Sequence, residues 1–391
     1  MKKHFLIVPF FLALIVIGLG LSGMGAVIPE MAQQFSVSYS VVGRVFLFHG
    51  LGYFVSILLA GILGDIINQV SILRLGIFLS LAGFGGISFL PSFPLVMASF
   101  LLMGVGLGFI DAMISPVANS VFTEKPATTL NIIHAFFGLG SLAAPRLYSF
   151  LVVEGYGWRN LYQICTLFTL ITLVIFLFPF IPRKNQPSQF KELLGVFKQP
   201  ALWIMGFTTL FYAGGVSTLN GWLVSYLEGE GIVRGEGAIF LSYFWLGIML
   251  GRLILSPVSD KVGHLNTIRL NALGGIVFVS LFLLLPFHST SAVLLLFGTG
   301  FMLSTLIPTT VSYALATFPE VTSTASSWVL FNNSLGSFLF PWLGGVIGTA
   351  FSLRLTMIFV PLFLILMFLF QQWLATIGKR NVMVFNGYQK E

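Results

Sequence analysis

Asp111 stands inside GLGFIDAMISP, residues 106–116, where its neighbours are glycine, apolar side chains, one serine and a proline. Ionising a carboxylate in such surroundings is costly, and burial favours its protonated form, so a group poised near that balance can load and release a proton. The other use of a lone acid is to bond a neighbouring helix and never titrate. Ser115 and Asn119 follow at four-residue steps and share a helical face with Asp111. The next apolar run, NIIHAFFGLGSLAAPR, carries Asn131, His134, Gly138, Ser141 and Pro145 at steps of three and four along one stripe.

Where the helix of Asp111 runs inward and the next runs outward, a rise of about 1.5 Å per residue puts Asp111 and His134 within roughly 3 Å of one level. Asp111 and His134 are therefore the expected proton-coupling pair; packing of His134 near the cytoplasmic mouth is the competing reading. Arg146 lies about 15 Å further out on the same scale. It either binds an anionic substrate or snorkels toward the outer headgroups with its stem buried.

Uncharged hydrogen-bonding groups mixed with aromatic rings occur at similar depth elsewhere. LFHGLGY places His49 and Tyr53 one turn apart, FYAGGVSTLNGW carries Tyr212, Asn220 and Trp222, and WVLFNNS carries Asn332. Together with Asn119, Asn131 and Arg146 they form the expected substrate-binding set. Hydroxyls of a sugar need donors and acceptors while its CH faces lie on rings, which this mixture suits. Taken singly, each amide is equally suited to bonding a neighbouring helix.

The elements that must position these groups are transmembrane helices. The chain of 391 residues is 57% hydrophobic and 8% charged, a balance no soluble chain of this size carries. Twelve apolar runs, each long enough to cross about 30 Å of hydrocarbon, are expected near 5–29, 41–64, 72–91, 94–118, 128–153, 160–181, 201–228, 236–258, 268–287, 291–316, 322–349 and 353–377. The opening MKKHFLIVPF continues as apolar sequence to about Pro29 and reads as the first helix, not a cleaved leader. A single cysteine, Cys165, excludes a disulfide framework and a thiolate metal cluster, and no metal or other cofactor is expected. Neither HExxH nor a nucleophile elbow is present, so an enzyme is not expected.

With the N-terminus inside, thirteen of the nineteen basic residues fall on the cytoplasmic side, with Arg44, Arg159, Arg234 and Arg354 outside and Arg146 and Arg252 within helices. Both termini are then cytoplasmic, and the net charge of +7 is a topology signal that needs no nucleic-acid partner. The polar stretch 183–200 divides the chain into bundles 1–182 and 201–391, and reads as a cytoplasmic linker with a short amphipathic helix.

The two bundles repeat one another. GLGFIDAMISP matches GTGFMLSTLIP from Gly298, LGSLAAP from Leu139 matches LGSFLFP from Leu335, and the two loop-two regions match at a similar spacing of 192 to 196 residues. Paired repeats of this kind can rock about a central site and open it to each side in turn. Leu303 replaces Asp111 in the second copy, so the scaffold itself does not require the acid. The cytoplasmic loops GILGDIINQVSILR and GRLILSPVSDKVGH place Asp65, Arg74, Arg252, Asp260 and Lys261 as an expected inner gate, held by charge pairing and helix termini.

These residues resemble the major facilitator superfamily, whose loop-two pattern is GxxxD followed by basic residues. Gly61 and Asp65 keep that pattern without the basic residue, whereas the second copy is close to it. Within the superfamily the chain looks most like the fucose–proton symporter family, in its bacterial glucose/mannose transporter-like branch. The segments that carry the likeness are GLGFIDAMISPVAN, HAFFGLGSLAAP, FYAGGVSTLNGWLVSYL, YFWLGIMLGR and LIPTTVSYAL. The resemblance implies a twelve-helix all-α membrane fold and assigns Asp111 to proton coupling and sugar binding. The fucose branch has a further aspartate in helix one, where this sequence has Gly25, which moves the expected substrate toward a hexose.

The expectation is a proton-coupled sugar importer working by alternating access in a bacterial cytoplasmic membrane, monomeric, with a small-molecule substrate, a proton and the lipid bilayer as its partners. The alternatives are an acidic-sugar or organic-anion symporter using Arg146, sodium in place of the proton, proton-driven efflux of amphipathic compounds and, last, a non-transporting sensor.

Overall fold

The computed structural model describes residues 7–66, 68–122, 126–178, 196–318 and 322–388. In order, the helices are α1 (Val8–Phe35), α2 (Tyr39–Val42), α3 (Arg44–Ile66), α4 (Gln69–Phe89), α5 (Phe93–Val121), α6 (Pro126–Val153), α7 (Trp158–Leu177), α8 (Pro200–Gly229), α9 (Glu236–Val262), α10 (His264–Leu284), α11 (Ser289–Leu303), α12 (Leu306–Thr317), α13 (Thr322–Ala350) and α14 (Leu353–Tyr388). Among the described residues there is no strand. That is the consequence of hydrocarbon as solvent: each backbone N–H and C=O must find its partner inside the same segment. Hydroxyls follow the same rule by bonding back one turn, as Ser22 to Gly18 at 3.1 Å, Ser80 to Gly76 at 2.9 Å and Thr169 to Cys165 at 2.7 Å.

Eleven spans among the described residues are long and apolar enough to cross a bilayer, the tenth expected span being one of them as the pair α11 and α12. That span was expected as one helix from 291 to 316; instead it breaks at Ser304 and Thr305, where Thr305 has φ −97° and ψ 1°. The cause is in the sequence. Pro308 has no N–H to give the carbonyl of Ser304, and its ring crowds that carbonyl. Side chains take over: Arg252 Nε donates to Ser304 O at 3.2 Å, Tyr212 Oη donates to Leu303 O at 3.1 Å, and Asn271 Nδ2 donates to Thr305 Oγ1 at 2.6 Å.

The chain divides into two compact units. The first comprises Met1–Ser188, Thr218–Leu246 and Phe338–Met357. In it, α5 packs along α3 and α4, and α1 packs along α6. The second comprises Gln189–Ser217, Gly247–Ser337 and Ile358–Glu391, and its core includes Leu202, Ile204, Met205, Ala314, Ala325, Val329 and Leu374. Of the expected amphipathic helix in the 183–200 linker, only the end lies within the described residues, as a 3-10 turn at Val196–Lys198.

Candidate functional site

The frame of the site is the contact of α3 with α5. A Cβ on Gly104 would overlap the carbonyl of His49, and one on Gly108 would meet Tyr53 O at 2.6 Å. Two glycines one turn apart thus let the α5 backbone lie directly on the turn of α3 that carries His49 and Tyr53. This close approach fixes the register. Three residues beyond Gly108 comes Asp111, and Tyr53 Oη donates to its Oδ2 at 2.6 Å. The bond is a short, charge-assisted type when the acid is ionised.

One turn further along α5, Ser115 Oγ lies 3.3 Å from His134 Nε2 on α6. For the expected pair of Asp111 and His134, the bond described for the carboxylate comes from Tyr53, and the one described for His134 involves Ser115. On α3, His49 is 4% exposed and its Nε2 is buried with no hydrogen-bond partner. Its ring centre is 6.0 Å from that of Tyr53.

Besides Tyr53, four of the expected sugar-binding side chains have protein partners. Asn220 Nδ2 donates to Leu21 O at 3.2 Å, and its Oδ1 accepts Trp245 Nε1 at 2.8 Å. Trp222 is fully buried and donates to Pro341 O at 2.7 Å. Tyr212 serves the helix break already described, and Asn332 Nδ2 donates to Trp328 O on its own helix at 2.9 Å. The physical reason is that amides and indoles at membrane depth satisfy one another when they can. The side chains of Asn119 and Asn131 lie outside the described residues.

Arg146 is exposed on α6, and Ile132, Leu139, Phe150 and Val153 are exposed with it. Steps of seven, seven, four and three residues put all five on one face, whose other members are apolar. That is the environment of a snorkelling side chain.

The expected inner gate is partly accounted for. Arg74 donates from Nε to Phe176 O at 2.7 Å and from Nη2 to Phe178 O at 3.4 Å, so it caps the carbonyl end of α7. Arg252 is held by the broken helix. The side chains of Asp65, Asp260 and Lys261 lie outside the described residues.

An ion pair absent from the sequence reading sits at the far end of α1. Arg234 Nη2 is 2.8 Å from Glu30 Oε1, and Glu30 Oε2 also accepts Tyr148 Oη at 3.0 Å and Trp158 N at 3.1 Å. The last bond places the carboxylate on the N-terminus of α7, where the helix dipole favours it. Burial works against the charge on Arg234, but Glu30 and Tyr148 outweigh it and raise the guanidinium above its ordinary value. The available sequence signal was the pairing of an acid just after Pro29 with a basic residue in an outer loop.

The profile of the Major Facilitator Superfamily matches residues 10–341. Among curated proteins, Protein TsgA of Escherichia coli O1:K1 is 23% identical over 238 residues, and the chain spans only 58% of that relative's length. Among solved structures, a mutant of the nucleoside transporter NupG is similar at TM-score 0.81 and 14% identity, over 95% of this chain and 99% of that one. A bacterial homologue of the human lysosomal transporter Spinster is similar at 0.77 and 16%, over 96% and 98%. The Escherichia coli fucose:proton symporter FucP is similar at 0.66 and 15%, over 96% and 99%. At these identities the structures speak for the fold alone. With eleven candidate spans among its described residues and a family profile over most of its length, the chain belongs to the Major Facilitator Superfamily and is a multi-pass membrane protein.

Proposed function

We propose that this transporter carries a hexose-type sugar inward together with a proton, and that Asp111 is the coupling carboxylate. The observation that carries the reading is the Tyr53–Asp111 bond of 2.6 Å within the span, at a repeat position where the second bundle has Leu303. A carboxylate held by a donor from the neighbouring helix can exist in two protonation states that differ in their bonding to α3. A proton can drive a conformational cycle only through such a difference between states.

His134, tied to Ser115 one turn beyond Asp111, is the second member of the coupling pair. Two structures of similar fold are named for a fucose:proton symporter and a nucleoside transporter. The apolar company of Arg146 favours snorkelling over an anion site, which supports a neutral sugar rather than an acidic one. The organisation into an N-terminal bundle, 1–182, a linker and a C-terminal bundle, 201–391, belongs to the same proposal.

The test is substrate-driven proton movement in lightly buffered proteoliposomes of the purified full chain. Hexoses, hexuronic acids and lipophilic cations are added in turn, with and without a sodium gradient. Alkalinisation outside on addition of a neutral hexose, independent of sodium, is expected. Proton movement driven only by hexuronic acids would restore the anion reading, and exchange of protons against lipophilic cations would make the protein an exporter.

A further inference from the structure

The groups around Asp111 form a line, not a cluster. With the N-terminus on the cytoplasmic side, as the distribution of basic residues indicates, α3 and α5 both run from the outer to the inner side, because α1, α3, α4 and α5 carry successive spans. Gly104 lies on His49 and Gly108 on Tyr53, so equal depths on the two helices are known. On that scale Tyr53 is about 4 Å outward of Asp111, His49 is about 10 Å outward, and Ser115 is about 6 Å inward, at about 1.5 Å per residue. His134 Nε2 stands beside Ser115.

From outside to inside the order is thus His49, Tyr53, Asp111, Ser115, His134, with one imidazole at each end and the acid between them. The outer imidazole is the unusual member. Its Nε2 is buried without a partner, a costly state for a polar atom in the membrane. Around its turn, α5 presents the backbone at Gly104, α13 presents Phe338 against Gly50, and α3 itself presents Tyr53. Of these, only Tyr53 can titrate.

We propose that His49 is the outer port of a proton relay: protons reach Asp111 from the outside through His49 and Tyr53, and leave to the cytoplasm past Ser115 and His134. On loading, with the site open to the outside, hydronium gives a proton to His49 Nε2 and leaves as water. The imidazolium then returns that proton from Nε2, directly or through one bridging water, to the Tyr53 hydroxyl oxygen as that hydroxyl gives its own to Asp111 Oδ2. His49 is again neutral in its starting tautomer, Tyr53 resets by rotation of its O–H, and Asp111 ends neutral. The relay rests on the reading of Asp111 as the coupling site. It moves His49 and Tyr53 from sugar binding to proton delivery.

The test uses the full chain in proteoliposomes, with D-glucose and the other common hexoses as probes. Hexose exchange without a proton gradient is measured beside proton-driven uptake for the wild type, His49→Gln, His49→Gly and Asp111→Asn. Exchange needs the fold and the sugar site but no net proton delivery. The expected result for His49→Gln is exchange within twofold of wild type and proton-driven uptake reduced at least tenfold. In His49→Gly, added imidazole restores uptake.

Unchanged uptake in His49→Gln would overturn the relay, as would parallel loss of exchange and uptake without rescue by imidazole, which would return His49 to sugar binding or structure. Asp111→Asn separates the two claims. If that variant still moves protons with hexose, or if no hexose moves in the wild type, the coupling reading falls and the relay falls with it. If it exchanges hexose without protons while His49→Gln behaves as wild type, only the relay falls.

Discussion

The turn of α5 at Asp111 and the join of α11 with α12 at Leu303 occupy the same position in the two repeats and solve opposite problems. Both carry the frame GxGF followed six residues later by Ser115 or Ile307 and then proline, Pro116 in one and Pro308 in the other. In the first bundle the helix continues through its proline, and the unusual feature is a side chain, Asp111, satisfied by Tyr53 from α3. In the second the side chain is an ordinary leucine and the unusual feature is the backbone, whose freed carbonyls are satisfied by Tyr212 and Arg252. A polar group at membrane depth is retained only with a partner, and the two copies differ in whether the group is a side chain or a backbone carbonyl. A side-chain carboxylate can change its charge and a carbonyl cannot, which is why the first bundle is the one expected to couple to protons.

The largest effect expected from breaking the comparison is at the frame of the first copy. Gly104→Leu drives a side chain into the carbonyl of His49, and about 3 kcal/mol of stability should be lost through overpacking. Thermal melting of the detergent-solubilised protein measures it, and a melting point equal to wild type would mean that α3 and α5 are not in this contact. Next is the second copy: Arg252→Ala strands Ser304 O and should cost about 2 kcal/mol by the same assay.

Pro308→Ala sharpens the point. It returns an N–H to Ser304 O, so Arg252→Ala should cost less in that background, with a coupling of about 1 kcal/mol in the double-mutant cycle. Additive losses would detach Arg252 from the helix break. The smallest effect belongs to Arg146→Gln, which should leave transport within twofold and stability within about 0.5 kcal/mol, as for a surface position. A large loss of substrate affinity there would revive the anion site.

Hydropathy alone made most of the fold legible, because a run of some twenty apolar residues has few options in a bilayer. The repeat was legible too, and with it the singularity of Asp111. The break in the tenth span was not, since Pro116 and Pro308 look alike in sequence and only one of them interrupts its helix. What decides between them is whether side chains from other helices, here Arg252 and Tyr212, are placed to receive the freed carbonyls.

The same limit applied at the candidate site. Periodicity put Asp111, Ser115 and His134 on facing stripes, but the partner of Asp111 came from 58 residues earlier through a helix register set by Gly104 and Gly108. The amides of Asn220 and Asn332 and the indole of Trp222 look open to a sugar in the sequence because the groups they donate to, on Leu21, Trp328 and Pro341, are backbone carbonyls, invisible to a reading of side chains, and the Trp245 indole that donates to Asn220 comes from another helix. Nothing in the sequence singles out Glu30, because its partners Arg234 and the start of α7 are distant in the chain.

The central claim is that the acid of the first bundle, and nothing in the second, joins proton movement to solute movement. The most direct measurement is the number of protons moved per hexose in proteoliposomes of wild type and Asp111→Asn, by a pH-sensitive dye inside the vesicles and labelled hexose outside. The account predicts a fixed, non-zero ratio for wild type and a ratio of zero for Asp111→Asn, with hexose exchange preserved in both. The same non-zero ratio in the two proteins would contradict it.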